Sequence, residues 1–248
     1  MGFMISESGI ANDLYKMFHV LFGGLKGGLA IGTMFMMVAI SAMNGLSVAG
    51  MAIGATIALP EMLKRNYDKR MITGVVQAGS SLGILIPPSV VMVLYGMIAR
   101  QPVSKLWMAG ILPGLLMASL FLIYIYVRCK LQPELGPPLK KEERNISTVE
   151  KIRLLKAGII PFLIFFFMTG LFLMGIASLV ECSAVGAFLA TLAAIYKRRF
   201  NKIVLENTLR KTLGVSCMFM WIILAALTFG AVFDGLGAGR AIETLFIE

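Results

Sequence analysis

One stretch of the chain, residues 71–99, carries no charged side chain and is long enough to cross a bilayer, which takes about 20 apolar residues. Its middle nevertheless reads Gly-Ser-Ser-Leu-Gly-Ile-Leu-Ile-Pro-Pro-Ser over residues 79–89. Glycine weakens a helix, and each proline removes a backbone donor and clashes with the preceding turn. We therefore expect a membrane helix that is broken partway across. An ordinary proline kink is the alternative, because membrane helices often tolerate one.

Unwound backbone at membrane depth is costly unless it is buried in protein or lines a polar cavity. Broken membrane helices are typical of sites at which carbonyl groups and helix ends hold ions or substrate. The break thus marks a candidate substrate path, formed by Gly79, Gly83, Pro87, Pro88 and Ser89.

Composition assigns the chain to the class of membrane proteins. The 248 residues are 58% hydrophobic and 15% charged, and the mean hydropathy is +0.85, whereas soluble domains are about 25% charged. We expect an all-α polytopic membrane protein. The net charge of +10 is typical of basic cytoplasmic loops, so it does not indicate a nucleic-acid partner.

The chain offers little material for a catalytic or metal centre. Cys129, Cys182 and Cys217 lack CxxC spacing, and His19 is the only histidine. We predict no transition-metal site, no organic cofactor and no enzymatic activity. An intramembrane enzyme would need a Ser–Lys, paired-Asp or zinc-ligand set within the spans, and a channel remains a further alternative. The sequence contains no Walker motif for ATP.

The first part of the chain predicts an arm and a hairpin. Residues 1–26 form an amphipathic segment, expected to lie along the membrane interface as an arm helix. Residues 27–63 begin with a charge-free run that has a polar middle and basic residues beyond both ends. Each leg is too short to span, and both flanks are expected in the cytoplasm, which predicts a re-entrant hairpin. One full span followed by a surface loop is the alternative.

The remaining segments follow from the positive-inside rule. Residues 64–127 are expected to form the broken transmembrane helix and a return helix, with Trp107 at the outer interface and Tyr124 and Tyr126 at the inner one. A cytoplasmic loop is expected at 128–156, three transmembrane helices at 157–233, and a periplasmic arm segment at 234–248. In this topology all Lys and Arg residues except Arg100, Lys105 and Arg240 face the cytoplasm.

A weak internal repeat accompanies this topology. Residues 8–14 are similar to residues 236–242, and the two segments are expected on opposite sides of the membrane. Opposite sidedness is typical of inverted-topology repeats. On this interpretation a second hairpin would follow residue 248, and the sequence is expected to be a fragment.

Several motifs resemble those of the large membrane subunit of tripartite ATP-independent periplasmic (TRAP) transporters. The most specific is Gly-Ile-Leu-Ile-Pro-Pro-Ser at 83–89, followed by Tyr95-Gly96. The other motifs are Ser-Glu-Ser-Gly-Ile-Ala at 6–11, Gly-Leu-Ser-Val-Ala-Gly at 45–50, Ala-Leu-Pro-Glu-Met at 58–62 and Lys-Arg-Asn-Tyr-Asp at 64–68. Residues 180–186 resemble the family's Thr-Glu-Ala-Ala-Ala-Val-Gly segment but depart from it at Val180, Cys182 and Ser183.

The resemblance implies an elevator-type transporter with inverted repeats in a bacterial inner membrane. It implies sodium-coupled import of an organic acid, such as a dicarboxylate, keto acid or sugar acid, delivered by a periplasmic binding protein. It also implies a small membrane subunit as partner. A sodium-coupled organic anion symporter of the same superfamily, working without a binding protein, is the alternative.

Sodium prefers oxygen ligands, and neither charge-free run contains a carboxylate. A sodium site there would use hydroxyl, amide and backbone oxygens from the hairpin tip and the break. The candidate ligands are Ser41, Asn44, Ser47, Ser80, Ser81 and Gly83. Alternatively, these serines only satisfy local backbone groups. Glu181 is expected to stabilise a helix N-terminus.

Overall fold

A computed structural model describes residues 1–45, 47–138, 148–239 and Thr244. Within that part of the chain every regular element is helical. The contacts divide the chain into two units, Met1–Val204 and Leu205–Glu248.

The expected arm consists of two helices, not one. Helix α1 spans Gly2–Glu7 and α2 spans Ile10–Phe22. Gly9 separates them in a left-handed conformation (φ 70°). One face of α2 is buried, through Ile10, Leu14 and Phe18 among others, so the arm is held by packing as well as by any contact with the interface.

Two helical legs flank Gly45 in the segment expected to form the hairpin, with residue 46 outside the described part of the chain. Helix α3 spans Gly28–Asn44, and the second leg runs through α4 (Ser47–Ile53), a π-helical turn (Gly54–Ala58) and α5 (Leu59–Lys64). The 17 residues of α3 give a helix of about 25 Å, shorter than a hydrocarbon core of about 30 Å. Re-entry into the membrane stays a prediction.

The break in the next helix is also present. Helix α6 spans Lys69–Ser81, a 3₁₀ turn follows at Leu82–Ile84, and α7 spans Val90–Ile98. Helix α8 spans Val103–Leu131 and returns. The two prolines account for the gap, because neither can donate a helical hydrogen bond.

Helices extend into both ends of the segment expected as the 128–156 cytoplasmic loop, whose place relative to the membrane stays a prediction. Helix α8 continues to Leu131, and α9 spans Thr148–Leu173, with residues 139–147 outside the described part of the chain. Charged residues do not stop a helix: residues 148–156 are rich in Glu, Lys, Arg and Leu, which are strong helix formers. The helices therefore extend past the apolar runs from which the loop was predicted.

The same effect lengthens the last helix. Helix α10 spans Leu179–Tyr196, as expected, but α11 spans Lys202–Gly235 and begins before the expected residue 212. Helices α8, α10 and α11 are each long and apolar enough to cross a membrane, and the protein is an all-α polytopic membrane protein. Residues 240–243 lie outside the described part of the chain, so the repeat between 8–14 and 236–242 stays a prediction.

Helix α3 lies at the centre of the first unit. It contacts α2, α6, α8 and α9, and Met34, Met36, Met37 and Ile40 on it are almost completely buried. An apolar helix surrounded on several sides is typical of a protein interior. The first leg of the hairpin is thus the element on which the broken helix and the arm both pack.

Candidate functional site

Each of the two half-helices on either side of the break begins with a capping side chain. Asp68 precedes α6, and its Oδ1 accepts hydrogen bonds from the amides of Arg70 (2.9 Å) and Met71 (3.1 Å). At the far side, Ser89 Oγ accepts from the amide of Met92 (3.3 Å) and donates to the carbonyl of Ile84 (2.6 Å). These bonds define where each of the two half-helices begins.

The hairpin tip contacts the break directly. The amide of Val90 donates to the carbonyl oxygen of Gly45 over 3.1 Å. Gly45 has a φ of 63°, and a Cβ atom there would collide with the carbonyl oxygen of Pro88. Only glycine combines this backbone conformation with so close an approach.

A second close approach lies one helical turn from the break. A Cβ atom on Gly79 would lie 2.6 Å from Cβ of Met37 on α3. The absence of a side chain therefore lets the end of α6 pack against the first leg of the hairpin. Of the residues proposed for the substrate path, Gly79, Gly83, Pro87 and Ser89 are buried and Pro88 is half-buried.

The structure locates the proposed sodium ligands only in part. Ser80 and Ser81 each donate a hydrogen bond of 2.8 Å to a carbonyl of their own helix, those of Gln77 and Ala78. These bonds are the ones expected if the serines only satisfy local backbone groups. The hydroxyl oxygens nevertheless keep lone pairs for a cation. Ser47 is half-buried.

Two of the proposed ligands, Ser41 and Asn44, lie on α3 near the tip, and their side chains are outside the described part of the structure. The carbonyl oxygen of Ile84, in the 3₁₀ turn of the break, accepts the hydrogen bond from Ser89 and is therefore already partnered. The sodium site therefore remains a proposal.

Trp107 is buried inside the protein, and its expected position at the outer interface stays a prediction. Its side chain is only 4% exposed, and its Nε1 donates to the carbonyl oxygen of Ser89 over 3.3 Å. Its ring centroid lies 4.6 Å from that of Phe172 on α9. The indole therefore connects the break to α9 inside the protein instead of facing the lipid. Aromatic enrichment at interfaces could not reveal this, because a buried tryptophan has the same local sequence.

Glu181 has the structural role that we expected. Its Oε2 accepts from the amide and the hydroxyl of Ser178, each over 2.7 Å, and the Glu181 amide donates to Ser178 Oγ over 3.4 Å. These reciprocal bonds form a capping box at the start of α10.

An ion-pair cluster joins the arm to the end of α10. Asp13 Oδ2 lies 2.6 Å from Lys197 Nζ and 3.0 Å from Arg199 Nη1. Arg199 also donates to the carbonyls of Ser8 (3.3 Å) and Gly9 (3.0 Å). The Asp13 and Lys197 side chains are 19% and 16% exposed. Nothing local in the sequence could have predicted a contact between residues so far apart.

The base of the hairpin is closed by the segment after α8. The amide of Gly27 donates to the carbonyl of Gly136 (2.8 Å), and the amide of Asp68 donates to that of Leu135 (3.2 Å). The hydroxyl of Tyr67 accepts from the amide of Leu29 (3.2 Å). Burial raises the pKa of Tyr67 to about 12. Both ends of the hairpin are therefore fixed to one short segment.

An ion pair covers the end of the second leg. Glu61 Oε2 lies 2.5 Å from Arg65 Nη1, and Glu61 Oε1 lies 3.3 Å from Lys64 Nζ. The hydrogen bond from Arg65 is the main reason that the pKa of Glu61 is lowered from its usual value. Glu61 therefore stays charged near neutral pH and supports the end of the helix.

Two cavities accompany these elements. One of about 310 Å³ lies beside the break and is lined by Ser89 and Trp107 together with Met43 of α3 and Ser183 of α10. A larger one of about 740 Å³ lies between α6 and α8. Among the described residues no group of His, Cys, Asp and Glu side chains is arranged to hold a transition metal.

Comparison with known proteins assigns the family. Residues 1–248 match the family model "Tripartite ATP-independent periplasmic transporter, DctM component". A C4-dicarboxylate TRAP transporter large permease protein of Pseudomonas aeruginosa is 28% identical over 232 residues, which cover 93% of this chain and 53% of that protein. An ectoine TRAP transporter large permease protein of Halomonas elongata is 28% identical over 242 residues, covering 93% of this chain and 55% of that protein.

A third relative is the sialic acid TRAP transporter permease protein of Haemophilus influenzae, 27% identical over 217 residues, covering 88% of this chain and 33% of that protein. The chain thus spans about half the length, or less, of these relatives. The substrates in their names differ widely, while the match to the family model extends over the whole chain. The chain belongs to the DctM component family of tripartite ATP-independent periplasmic transporters.

Proposed function

We propose that this chain forms part of a secondary transporter that imports an organic acid across a bacterial inner membrane. A sodium gradient drives the import, and a periplasmic binding protein delivers the substrate to a complex of this subunit and a small membrane subunit. The protein acts as a transporter and not as an enzyme. The observation that carries the proposal is the contact between the hairpin tip and the broken helix at Gly45 and Val90.

That contact supports ion coupling for a physical reason. The break leaves backbone groups at a helix interruption, and the tip brings a second set of polar groups to the same place. Val90 bonds to Gly45, and Ser80 and Ser81 lie at the end of α6, next to the 3₁₀ turn. A cation held between these elements would stabilise their closed arrangement, because it would draw oxygen ligands from both.

The substrate class rests on the relatives and on the electrostatics of helix ends. The relatives are named for C4-dicarboxylate and sialic acid, both of which are anions, and for ectoine. The positive N-terminal end of α7 at the break is suited to a carboxylate. Since neither charge-free run carries an arginine, selection among acids is assigned to the binding protein.

The test is reconstitution of the complete subunit with its small subunit in proteoliposomes. Uptake of radiolabelled organic acid should need both an inward sodium gradient and the loaded binding protein. Replacement of sodium by potassium outside is the control for ion specificity. Sodium-driven uptake without binding protein would favour the alternative, a symporter of the same superfamily. Uptake that is independent of sodium would contradict the proposed coupling.

A further inference from the structure

The larger cavity, of about 740 Å³, lies between two helices that both pack on α3. Helix α6 contributes Met71, Gly74, Val75 and Ala78, which share one face because they are spaced three and four residues apart. Helix α8 contributes a matching face from Leu120 to Ile125. The floor of the cavity is therefore mostly apolar.

The mouth of the cavity is basic. Arg70 at the start of α6 and Arg128 near the end of α8 both line it, and both are exposed. Among the described residues neither guanidinium has an ion-pair partner. Asp68 also lines the mouth, but its Oδ1 accepts from the amides of Arg70 and Met71. Two unpaired guanidinium groups at the edge of an apolar cavity are suited to an amphipathic anion.

We propose that this cavity binds an anionic phospholipid, with the phosphodiester at Arg70 and Arg128 and an acyl chain along the α6 and α8 faces. A lipid fits better than a soluble organic acid, because a small acid would leave the apolar floor exposed to water. In the topology expected from the positive-inside rule both arginines lie on the cytoplasmic side, where anionic lipids create a negative surface potential. This site is separate from the break and from the proposed sodium ligands.

The test is a titration of the complete, delipidated subunit in detergent with phosphatidylglycerol that carries a fluorescent acyl chain. Replacing both guanidinium groups (Arg70→Gln with Arg128→Gln) should weaken binding about 25-fold, since each basic residue near an anionic lipid contributes about fivefold. The matched control changes Lys69→Gln and Lys130→Gln, which lie beside the two arginines but do not line the cavity. The control should change the affinity less than about twofold.

A second pair of variants tests the acyl chain. A Cβ atom on Gly74 or on Gly170 would meet no atom within 4 Å, but only Gly74 lines the cavity. Gly74→Leu should fill the floor and weaken phosphatidylglycerol binding at least about fivefold, whereas Gly170→Leu on α9 should leave it unchanged. Both proteins should retain the wild-type melting temperature within a few degrees.

Several results would overturn the proposal. Equal losses in the arginine and lysine variants would show a nonspecific charge effect. Displacement of the lipid by millimolar inorganic phosphate, with no effect of Gly74→Leu, would show a soluble-anion site. No binding by the complete subunit would show that protein covers the cavity. The titration needs no transport, so it can fail while the proposed function holds.

Discussion

The amide of Val90 and the carbonyl of Gly45 form a 3.1 Å hydrogen bond that joins the hairpin tip to the first residue of α7. One partner lies at a turn and the other at a helix start, so neither is bonded within its own helix there. The bond thus satisfies two helix ends at once. Displacing either element would expose backbone groups and disturb the site at the break.

Gly45 is the position at which this contact can be tested most simply. Gly45→Ala places a Cβ atom against the Pro88 carbonyl and forces a left-handed conformation that costs about 1–2 kcal/mol in any residue with a side chain. We expect uptake to fall at least about tenfold while membrane abundance is maintained. Gly170→Ala on α9 is the control, since its Cβ meets open space. Normal uptake by Gly45→Ala would show that the tip tolerates displacement.

Trp107 provides a test of the support behind the break. Trp107→Phe keeps an aromatic ring near Phe172 but leaves the Ser89 carbonyl without its donor, at a cost of about 1–3 kcal/mol. We expect a lower melting temperature and a lower maximal uptake rate. The control is Trp221→Phe, because that tryptophan is 74% exposed. An equally small effect in both variants would show that Trp107 does not support the break.

Asp13 and Lys197 should be energetically coupled. A double-mutant cycle with Asp13→Asn and Lys197→Gln should give an interaction free energy of about 1–2 kcal/mol, because both side chains are largely buried. The exposed pair Glu206 and Arg210 is the control and should give about 0.3–0.5 kcal/mol. Unfolding of the detergent-solubilised protein measures both cycles. Equal coupling in the two pairs would mean that the arm is not held by this cluster.

Tyr67 should make stability depend on alkaline pH. Its pKa is raised to about 12 by burial, whereas that of an unfolded tyrosine is near 10. Below pH 10 the phenol is neutral in both states and contributes no slope. As the pH rises from about 10 to 12 only the unfolded state ionises, so stability should fall. Tyr67→Phe should make this fall shallower without abolishing it, because burial also raises the pKa of Tyr15. An unchanged alkaline profile would show that the Tyr67 phenol is not buried in solution.

The sequence was most informative where composition alone restricts the backbone. The proline pair and the charge-free runs predicted the broken helix and the hairpin, because few other structures satisfy the backbone within a bilayer. The burial of Trp107 was not predicted, since an aromatic residue near a helix end has the same local pattern in lipid and in protein. The helical ends of the 128–156 segment were not predicted, because hydropathy detects the bilayer and not the helix ends. The Asp13 cluster depends on tertiary contacts that leave no local signal.

The proposed sodium site also shows this limit. Residue type indicated which elements could supply oxygen atoms, and the structure brings those elements together. It also shows that Ser81 donates to the Ala78 carbonyl. Sequence alone could not show whether Ser81 makes this local bond or binds an ion. Ser119 on α8 is the matched control for Ser81, because its hydroxyl donates to the Leu116 carbonyl over 2.7 Å in the same local geometry.

The most direct test of the account is therefore a sodium titration of uptake by proteoliposomes that contain the complete set of subunits. Asn44→Ala and Ser81→Ala should each raise the sodium concentration for half-maximal uptake about 5- to 30-fold, and the double variant should show less than the product of the two effects. Ser119→Ala should match the wild type. If Ser81→Ala and Asn44→Ala also match the wild type, the hairpin tip and the broken helix do not hold the coupling ion through these residues.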